Sequence, residues 1–430
     1  MSNKLETKAM KPESKRVLKP KLRFPKFRNA PLWTEKQLEE ILSPVVRERK
    51  KPIEAYTGLG MRSHGKGTFL KNLENPEKNS MEYLYEVQCD DLILNITFAW
   101  EGAIAIAKPT DTGALVSHRF PTFVFNRDVA IPDFFRYIIL DKQFVYSLGV
   151  ISPGGAGRNR VLNKNDFLKL RVVLPEVSEQ QKIAECLTSL DGLIAAHGRK
   201  LAALKAHKKG LMQRLFPCEG ETQPQLRFPK FRNAPKWDEK NLEQLAKRGS
   251  GHTPSKTNPE YYNGGIKWVS LADSKRLDCG LISETEIELS EQGIENSSAV
   301  LHREGAVLVS RDAGVGKSAI MNSPMAVSQH FIVWNCDGRQ LSNWFLYYLL
   351  QTMKPLFERV ATGSTIKTIG LQFFIDLRVP VPLLPEQQRI ASCLSALDDL
   401  IAAQTQKLEV LKAHKKGLMQ QLFPSSEEES

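Results

Sequence analysis

Apolar residues recur at alternating spacings of four and three along two stretches of the chain. The first runs through Ile183, Leu187, Leu190, Ile194, His197, Leu201, Leu204, Lys208, Leu211 and Leu215. The second runs through Ile390, Leu394, Leu397, Ile401, Gln404, Leu408, Leu411, Lys415, Leu418 and Leu422. That is the 3.5-residue seam of a coiled coil. An ordinary surface helix drifts toward 3.6 and shows a wider stripe. Two long helices are expected, over 174–217 and 381–424. Pro175 and Pro217 bound the first; Pro385 and Pro424 bound the second. Proline is tolerated at a helix start and stops one at its end. Both seams are interrupted at matching places, by His197 and Lys208 and by Gln404 and Lys415. A polar seam residue can fix register at some cost in stability.

The two helices are copies of one another at a constant offset of 207 residues, with roughly two-thirds of positions identical. The run Leu204–Gln213 recurs unchanged as Leu411–Gln420. Acids gather early in each copy (Glu176, Glu179, Glu185, Asp191; Glu386, Asp398, Asp399). Bases gather late (Arg199, Lys200, Lys205, Lys208, Lys209, Arg214; Lys407, Lys412, Lys415, Lys416), with Glu409 the exception. Antiparallel pairing sets each acidic half beside the partner's basic half, although the same polarity also complements the helix dipole. An antiparallel coiled coil within one chain is therefore expected.

A second repeat stands before each half, since Leu22–Trp33 returns as Leu226–Trp237. The chain thus reads lead-in, variable block, long helix, and again. Residues 1–20 form a basic tail, 218–225 a linker and 425–430 an acidic tail, with the two blocks at 21–173 and 226–380. Both blocks share a skeleton. Asp91–Asn95 and Ala306–Ser310 read as buried strands. Val116–Phe120 matches Val327–Phe331. Phe134–Ile139 and Trp344–Leu349 read as amphipathic helices. Phe167–Val172 and Phe374–Val379 read as strands entering the long helices. Mixed strands and helices with Gly-rich turns give an α+β domain present twice, a pseudo-twofold repeat. Similar frames carrying dissimilar loops suit two binding heads with different targets.

Composition adds direction. A net charge of +12 and pI near 9.3 favour an anionic partner, nucleic acid first. No eighteen-residue apolar run exists, so no membrane span is expected. The stretch Met1–Lys21 lacks an apolar core, so it is not read as a secretory signal. Cys89, Cys186, Cys218, Cys279, Cys336 and Cys393 form no C-x-x-C pair. Free thiols in a cytoplasmic protein are expected.

The helix openings Pro-x-x-x-Glu-Gln-Gln-(Lys/Arg)-Ile-Ala at Pro175 and Pro382, and the endings at Leu204 and Leu411 through Leu-Phe, carry a resemblance over nearly the whole chain. They resemble the specificity subunit of a type I DNA restriction–modification enzyme. Gly251–Ser255, Tyr261–Ser270 and Asp273 are similar to the opening of that family's target recognition domains. The first block offers Tyr56–Phe69 instead, which looks like another subclass. The resemblance implies two recognition domains joined by the paired helices, each reading one half of an asymmetric bipartite site in double-stranded DNA. It implies no catalysis by this chain. It implies docking of two modification subunits, which methylate adenine N6 from S-adenosylmethionine, and of ATP- and Mg-dependent restriction subunits. About 40 helical residues span roughly 60 Å, against about 34–36 Å for a turn of B-DNA, so the helices could act as a ruler.

Other chemistry is not supported. Arg311–Ser318 lacks the first Gly of a P-loop, and Asn258–Tyr261 lacks the second Pro of an adenine methyltransferase motif. The eight histidines show no metal-ligand spacing. His207 and His414 read as packing or docking residues. The rivals considered are a single-chain methyltransferase–nuclease and a coiled-coil scaffold. Base reading calls for Arg, Lys, Asn, Gln, Ser, Thr or His at base edges. The candidates in the first block are Arg62, Ser63, His64, Lys66, Thr68, Asn95, Thr97, His118, Arg119, Arg158, Asn159 and Arg160. In the second they are Thr253, Ser255, Lys256, Ser270, Lys275, Arg276, Arg311, Lys317, Gln329, His330, Thr365 and Lys367. Gly154–Gly157 could let backbone approach a phosphate. Trp100 and Trp268 are expected in the core.

Overall fold

The computed structural model describes residues 19–154 and 160–424. The chain divides into two compact units, residues 1–195 with 409–430, and residues 196–408.

Unit one opens on a 3-10 turn at Pro25–Phe27, strand β1 (Thr34–Gln37) and the one-turn helix α1 (Leu38–Ile41). Then come β2 (Leu42–Val45), β3 (Glu48–Lys50), β4 (Tyr56–Met61), β5 (Thr68–Leu73), β6 (Tyr83–Glu86), β7 (Leu92–Leu94), β8 (Ile104–Ile106), β9 (Leu115–Val116) and β10 (Thr122–Phe125). Helices α2 (Pro132–Ile138), α3 (Lys142–Val150) and α4 (Lys164–Leu168) lead to β11 (Arg171–Leu174) and the long helix α5 (Val177–Leu215). Strand β1 pairs antiparallel with β11, from Thr34 against Leu174 to Gln37 against Arg171. The remaining strands form two sheets, ordered β2-β10-β7-β8 and β3-β6-β9-β4-β5. Strands β7 and β8 are buried along their whole length, which is why they read as unbroken apolar runs. One core gathers Trp33, Phe134, Phe135, Phe167, Leu187 and Leu422.

Unit two repeats the scheme. After a 3-10 turn at Pro229–Phe231 come β12 (Asp238–Asn241), β13 (Ala246–Ser250), β14 (Tyr262–Val269), β15 (Leu281–Ile282), β16 (Ile287–Leu289) and α6 (Glu291–Glu295). They are followed by β17 (Val307–Ser310), β18 (Ser318–Met321), β19 (Ala326–Val327), β20 (Phe331–Cys336), α7 (Asn343–Thr352), α8 (Lys354–Val360), α9 (Leu371–Ile375), β21 (Arg378–Val381) and α10 (Leu384–Leu422). Strands β12 and β21 close the base, from Asp238 against Val381 to Asn241 against Arg378. The sheets run β13-β20-β17-β18-β15 and β16-β14-β19. Their core holds Leu215, Phe216, Trp237, Trp334, Phe345 and Leu394.

The expected helix pairing is present, and each unit holds part of it. In unit two, His197 meets Gln404 and Lys208 meets Asp398, so the segments 196–215 and 384–408 run antiparallel. In unit one, Asp191 meets Lys415, while Leu187 and Leu422 share the core. Burial follows the 3.5-residue seam: Ile183, Leu187, Leu201, Leu204, Leu211 and Leu215 are shielded, whereas Arg199, Lys200, Ala202, Ala203 and Lys205 are exposed.

Several boundaries differ from expectation. Leu174 ends a strand, and helix α5 begins only at Val177. Phe167 and Phe374 belong to the short helices α4 and α9, and the strands start at Arg171 and Arg378. Asn163 caps α4 by accepting from the Asn165 amide, a local signal that outweighs the strand-like run after it. The matching segments after Val116 and Val327 both turn, closed by the Phe120 amide on Ser117 O and the Phe331 amide on Ser328 O.

Candidate nucleic-acid interface

Two repeated devices fix the frame of each unit. Arg23 of the lead-in donates to both carboxylate oxygens of Glu179 at the start of α5, and to the carbonyls of Ala30 and Pro31. In unit two, Arg227 does the same with Glu386, Ala234 and Pro235. The bond to its carboxylate holds each guanidinium above its ordinary pKa. The neighbouring Gln180 accepts from the Ile131 amide and donates to the carbonyls of Val129 and Pro175. Gln387 accepts from the Ser342 amide and donates to Gln340 and Pro382. The Glu-Gln pair of the repeated helix opening is thus the hinge-pin between lead-in, helix and head.

The second device spans the helix pair. Asp191 accepts from Lys415 at 2.5 Å and from the Tyr137 hydroxyl at 3.0 Å, with Lys415 also 5.3 Å from the Tyr137 ring centre. Asp398 accepts from Lys208 at 2.5 Å and from Tyr348 at 2.8 Å, with Lys208 5.2 Å from the Tyr348 ring. Burial pushes the Tyr137 hydroxyl up to about 12 and raises Tyr348 further, so both stay protonated donors. The seam lysines are therefore ion-pair partners, beyond interrupting the apolar run. The acidic and basic halves of the copies anticipated the Lys–Asp pairs, whereas the Arg–Glu clamp was missed; its only signal was identity between the copies at Arg23/Arg227 and Glu179/Glu386.

In unit one the candidate donors gather around the turn after β7. Arg62, His64 and Lys66 are exposed on the β4–β5 turn. Arg62 lies 4.8 Å from the Phe69 ring centre. Ser63 donates to Glu101. Asn95 accepts from the Thr97 amide and so holds that turn. His118 and Arg119 are exposed, and the Arg119 carbonyl accepts from the Ile96 amide. Arg160 stacks over Trp100, 5.4 Å from its ring. That contact makes Trp100 a platform for a cation rather than a core residue. Thr68 is a correction: it is 4% exposed and donates to buried Asp111 at 2.6 Å, so it anchors the strand and cannot reach a ligand. Arg158 and Asn159, with most of Gly154–Gly157, lie outside the described residues.

Unit two presents a different surface. Thr253 donates to Gln329 at 2.6 Å, joining the loop after β13 to the turn before β20. Ser255, Lys256, Lys275, Thr365 and Lys367 are exposed. His330 Nδ1 donates to Asp312 at 2.7 Å. Lys317 donates to Ser274, and Arg311 donates to the Ile369 carbonyl. Arg276 is held by Asp273 and Glu286, and the Glu286 bond raises its pKa first. A cavity of about 500 Å³ opens between Lys317, Lys354, Thr365 and Lys367, with Asp278 and Glu358 on its wall. Ser270 is a correction: it is 7% exposed and caps the turn that follows. Trp268 is 3% exposed, a core residue as expected. His207 and His414 are exposed, which rules out packing as their role.

The Arg311–Ser318 loop joins strands β17 and β18, closed by the Ser310 amide on Lys317 O. No helix follows it, so the phosphate cradle of a P-loop has no dipole to rest on. Among the described residues, no group of His, Cys, Asp and Glu could hold a metal ion. No described helix is long and apolar enough to cross a membrane. Each unit offers its own donor-rich surface on the repeated frame, and the two surfaces differ.

Residues 32–206 and 235–413 match a family profile described as the type I restriction modification DNA specificity domain. Among curated proteins, the chain is 30% identical over 179 residues to the type I restriction enzyme MjaIX specificity subunit of Methanocaldococcus jannaschii, covering 41% of each chain. It is 26% identical over 265 residues to the putative type I restriction enzyme MjaX specificity subunit of the same organism, covering 61% of this chain and 60% of the relative. The matches span about two-fifths and three-fifths of those relatives. The crystal structure of a type I restriction–modification system S subunit from M. genitalium shares the fold, with a TM-score of 0.59, 14% identity, and coverage of 94% of this chain and 99% of that one.

Proposed function

This chain belongs to the family of the type I restriction modification DNA specificity domain, and on that premise we propose that it is the DNA-reading, non-catalytic subunit of a type I restriction–modification complex. Each unit reads one half of an asymmetric bipartite site in double-stranded DNA. Helices α5 and α10 set the gap and dock two modification subunits. Methyl transfer to adenine N6 from S-adenosylmethionine, and ATP- and Mg-dependent restriction, belong to partner chains.

One observation carries this reading. The Arg–Glu clamp, the Gln hinge and the Lys–Asp–Tyr triad are the same in both units, while the exposed donors on the heads differ. A frame kept twice with two unlike faces is what an asymmetric target demands. Exposed Lys and Arg on both faces supply the phosphate contacts that position a protein on a duplex. The test is to co-express the chain with its presumed modification partner and map methylated adenines genome-wide. A two-part motif that requires both proteins is the expected result. Methylation by this chain alone, or a complex without sequence preference, would overturn the proposal.

A further inference from the structure

The β4–β5 ribbon of unit one has a build that the fold itself does not need. Strand β5 ends its sheet and pairs only with β4. From Leu70 to Leu73 its residues are exposed on both faces. An edge strand of this kind is usually blunted, and Lys71 alone would do that. The fixed tip is not explained by blunting.

Residues 62–67 are tied down at several points. The Arg62 amide donates to Gly67 O, the His64 amide to Glu101 O at 2.7 Å, and the Gly65 amide to Gly102 O at 2.9 Å. Ser63 donates to the Glu101 carboxylate at 2.8 Å. His64, Gly65 and Gly67 hold φ of 62°, 63° and 79°, a left-handed run that is costly for His and allowed for Gly. A side chain at Gly65 would also sit 2.4 Å from Leu140. At the foot, Thr68 is held by Asp111. The result is a stiff turn with Arg62, His64 and Lys66 exposed while the Arg62, His64 and Gly65 amides are bonded.

The cations on this ribbon are held by a ring and not by carboxylates. Gly60 lets the Phe69 ring come close to β4, since a Cβ there would meet the ring at 2.4 Å. Arg62 and Lys71 both stack on that ring, at 4.8 and 5.1 Å. Among the described residues, none of Arg62, His64, Lys66 or Lys71 forms an ion pair with an acid. Their donors are therefore left for an outside group. A two-stranded ribbon fits the major groove of B-DNA, about 12 Å wide.

We propose that the β4–β5 ribbon enters the major groove of one half-site, and that Arg62, His64 and Lys66 at its tip determine which bases are accepted there. This rests on the DNA-specificity reading above. Arg donates to guanine O6 and N7, and His donates or accepts at either ring nitrogen, so a rigid tip selects by donor pattern. Glu101 is a positioning residue: it holds the tip without touching DNA.

The experiment uses the full chain in complex with its modification partner and reads the methylated motif genome-wide for wild type, R62A, H64A, K66A and E101A. Complex formation is checked by size-exclusion chromatography. Each tip variant is expected to relax one or two positions of one half-site, lowering preference for the original base about 5- to 150-fold. The other half-site and the gap stay as in wild type. E101A is expected to relax the same positions. If wild type yields no bipartite motif, the DNA-specificity reading falls and the ribbon with it. If wild type yields the motif and assembled tip variants leave it unchanged, or blur both halves, the ribbon inference alone is overturned.

Discussion

Replacing Arg23 with Ala tests how far the lead-in clamp holds unit one together. The side chains of Arg23 and Glu179 are 3% and 2% exposed. Losing one partner leaves the other charge buried without compensation, a change worth about 3–5 kcal/mol. The carbonyls of Ala30 and Pro31 lose their donor as well. At 1.36 kcal/mol per factor of ten, local opening of unit one should rise by about 150- to 5,000-fold. Hydrogen exchange with mass spectrometry, on the complex, reports that opening segment by segment. Protection should fall at 22–37 and 171–187. The double variant with Arg23 and Glu179 both changed to Met should recover most of the loss, because an apolar pair of similar volume carries no desolvation cost. Opening that rises less than fivefold in R23A, or a double variant as weak as R23A, would refute the reasoning.

Three further outcomes are expected. His197→Leu with Gln404→Leu removes the bond between Gln404 Nε2 and His197 Nδ1 at 2.6 Å; the helix pair should stabilise, and the methylated motif should show more than one gap length, since the polar pair fixes register. A unique gap would remove that role. Inserting four residues in each long helix lengthens it by about 6 Å and should widen the gap by one or two base pairs, leaving both half-sites intact in the methylation map. Burial holds His302 below its ordinary pKa; the residue is 4% exposed and its ring bonds to the Ser250 carbonyl. Its folded value being lowered, the unfolded chain takes up the proton first. Stability of unit two is thus full above about 6.5 and declines below it, until the folded ring protonates. Urea melts across pH 7.5–5 should show a slope that H302Q reduces.

Much of this protein was legible because helix pairs leave a periodic trace. The 3.5-residue seam gave both helices, and the charge halves gave their antiparallel sense, which Lys208–Asp398 and Lys415–Asp191 now embody. The clamp was not legible, because Arg23 and Glu179 lie 156 residues apart and no local pattern links them. Thr68 and Ser270 were misjudged for a chemical reason: a hydroxyl suited to a base edge is equally suited to a buried carboxylate or a turn cap. Trp100 was misjudged because stacking by Arg160 needs a loop closure that the sequence does not display.

The division of the chain has a consequence for its synthesis. Unit two is continuous, from 196 to 408, whereas unit one waits for 409 onward. Its core includes Leu422, and Trp33 lies against Phe423 at 6.0 Å. At about 5–20 residues per second, roughly 10–50 s separate emergence of the first head from arrival of its last helix. The amino-terminal half is therefore the last to mature on the ribosome. A chain ending before Leu422 would leave the core of the first head open.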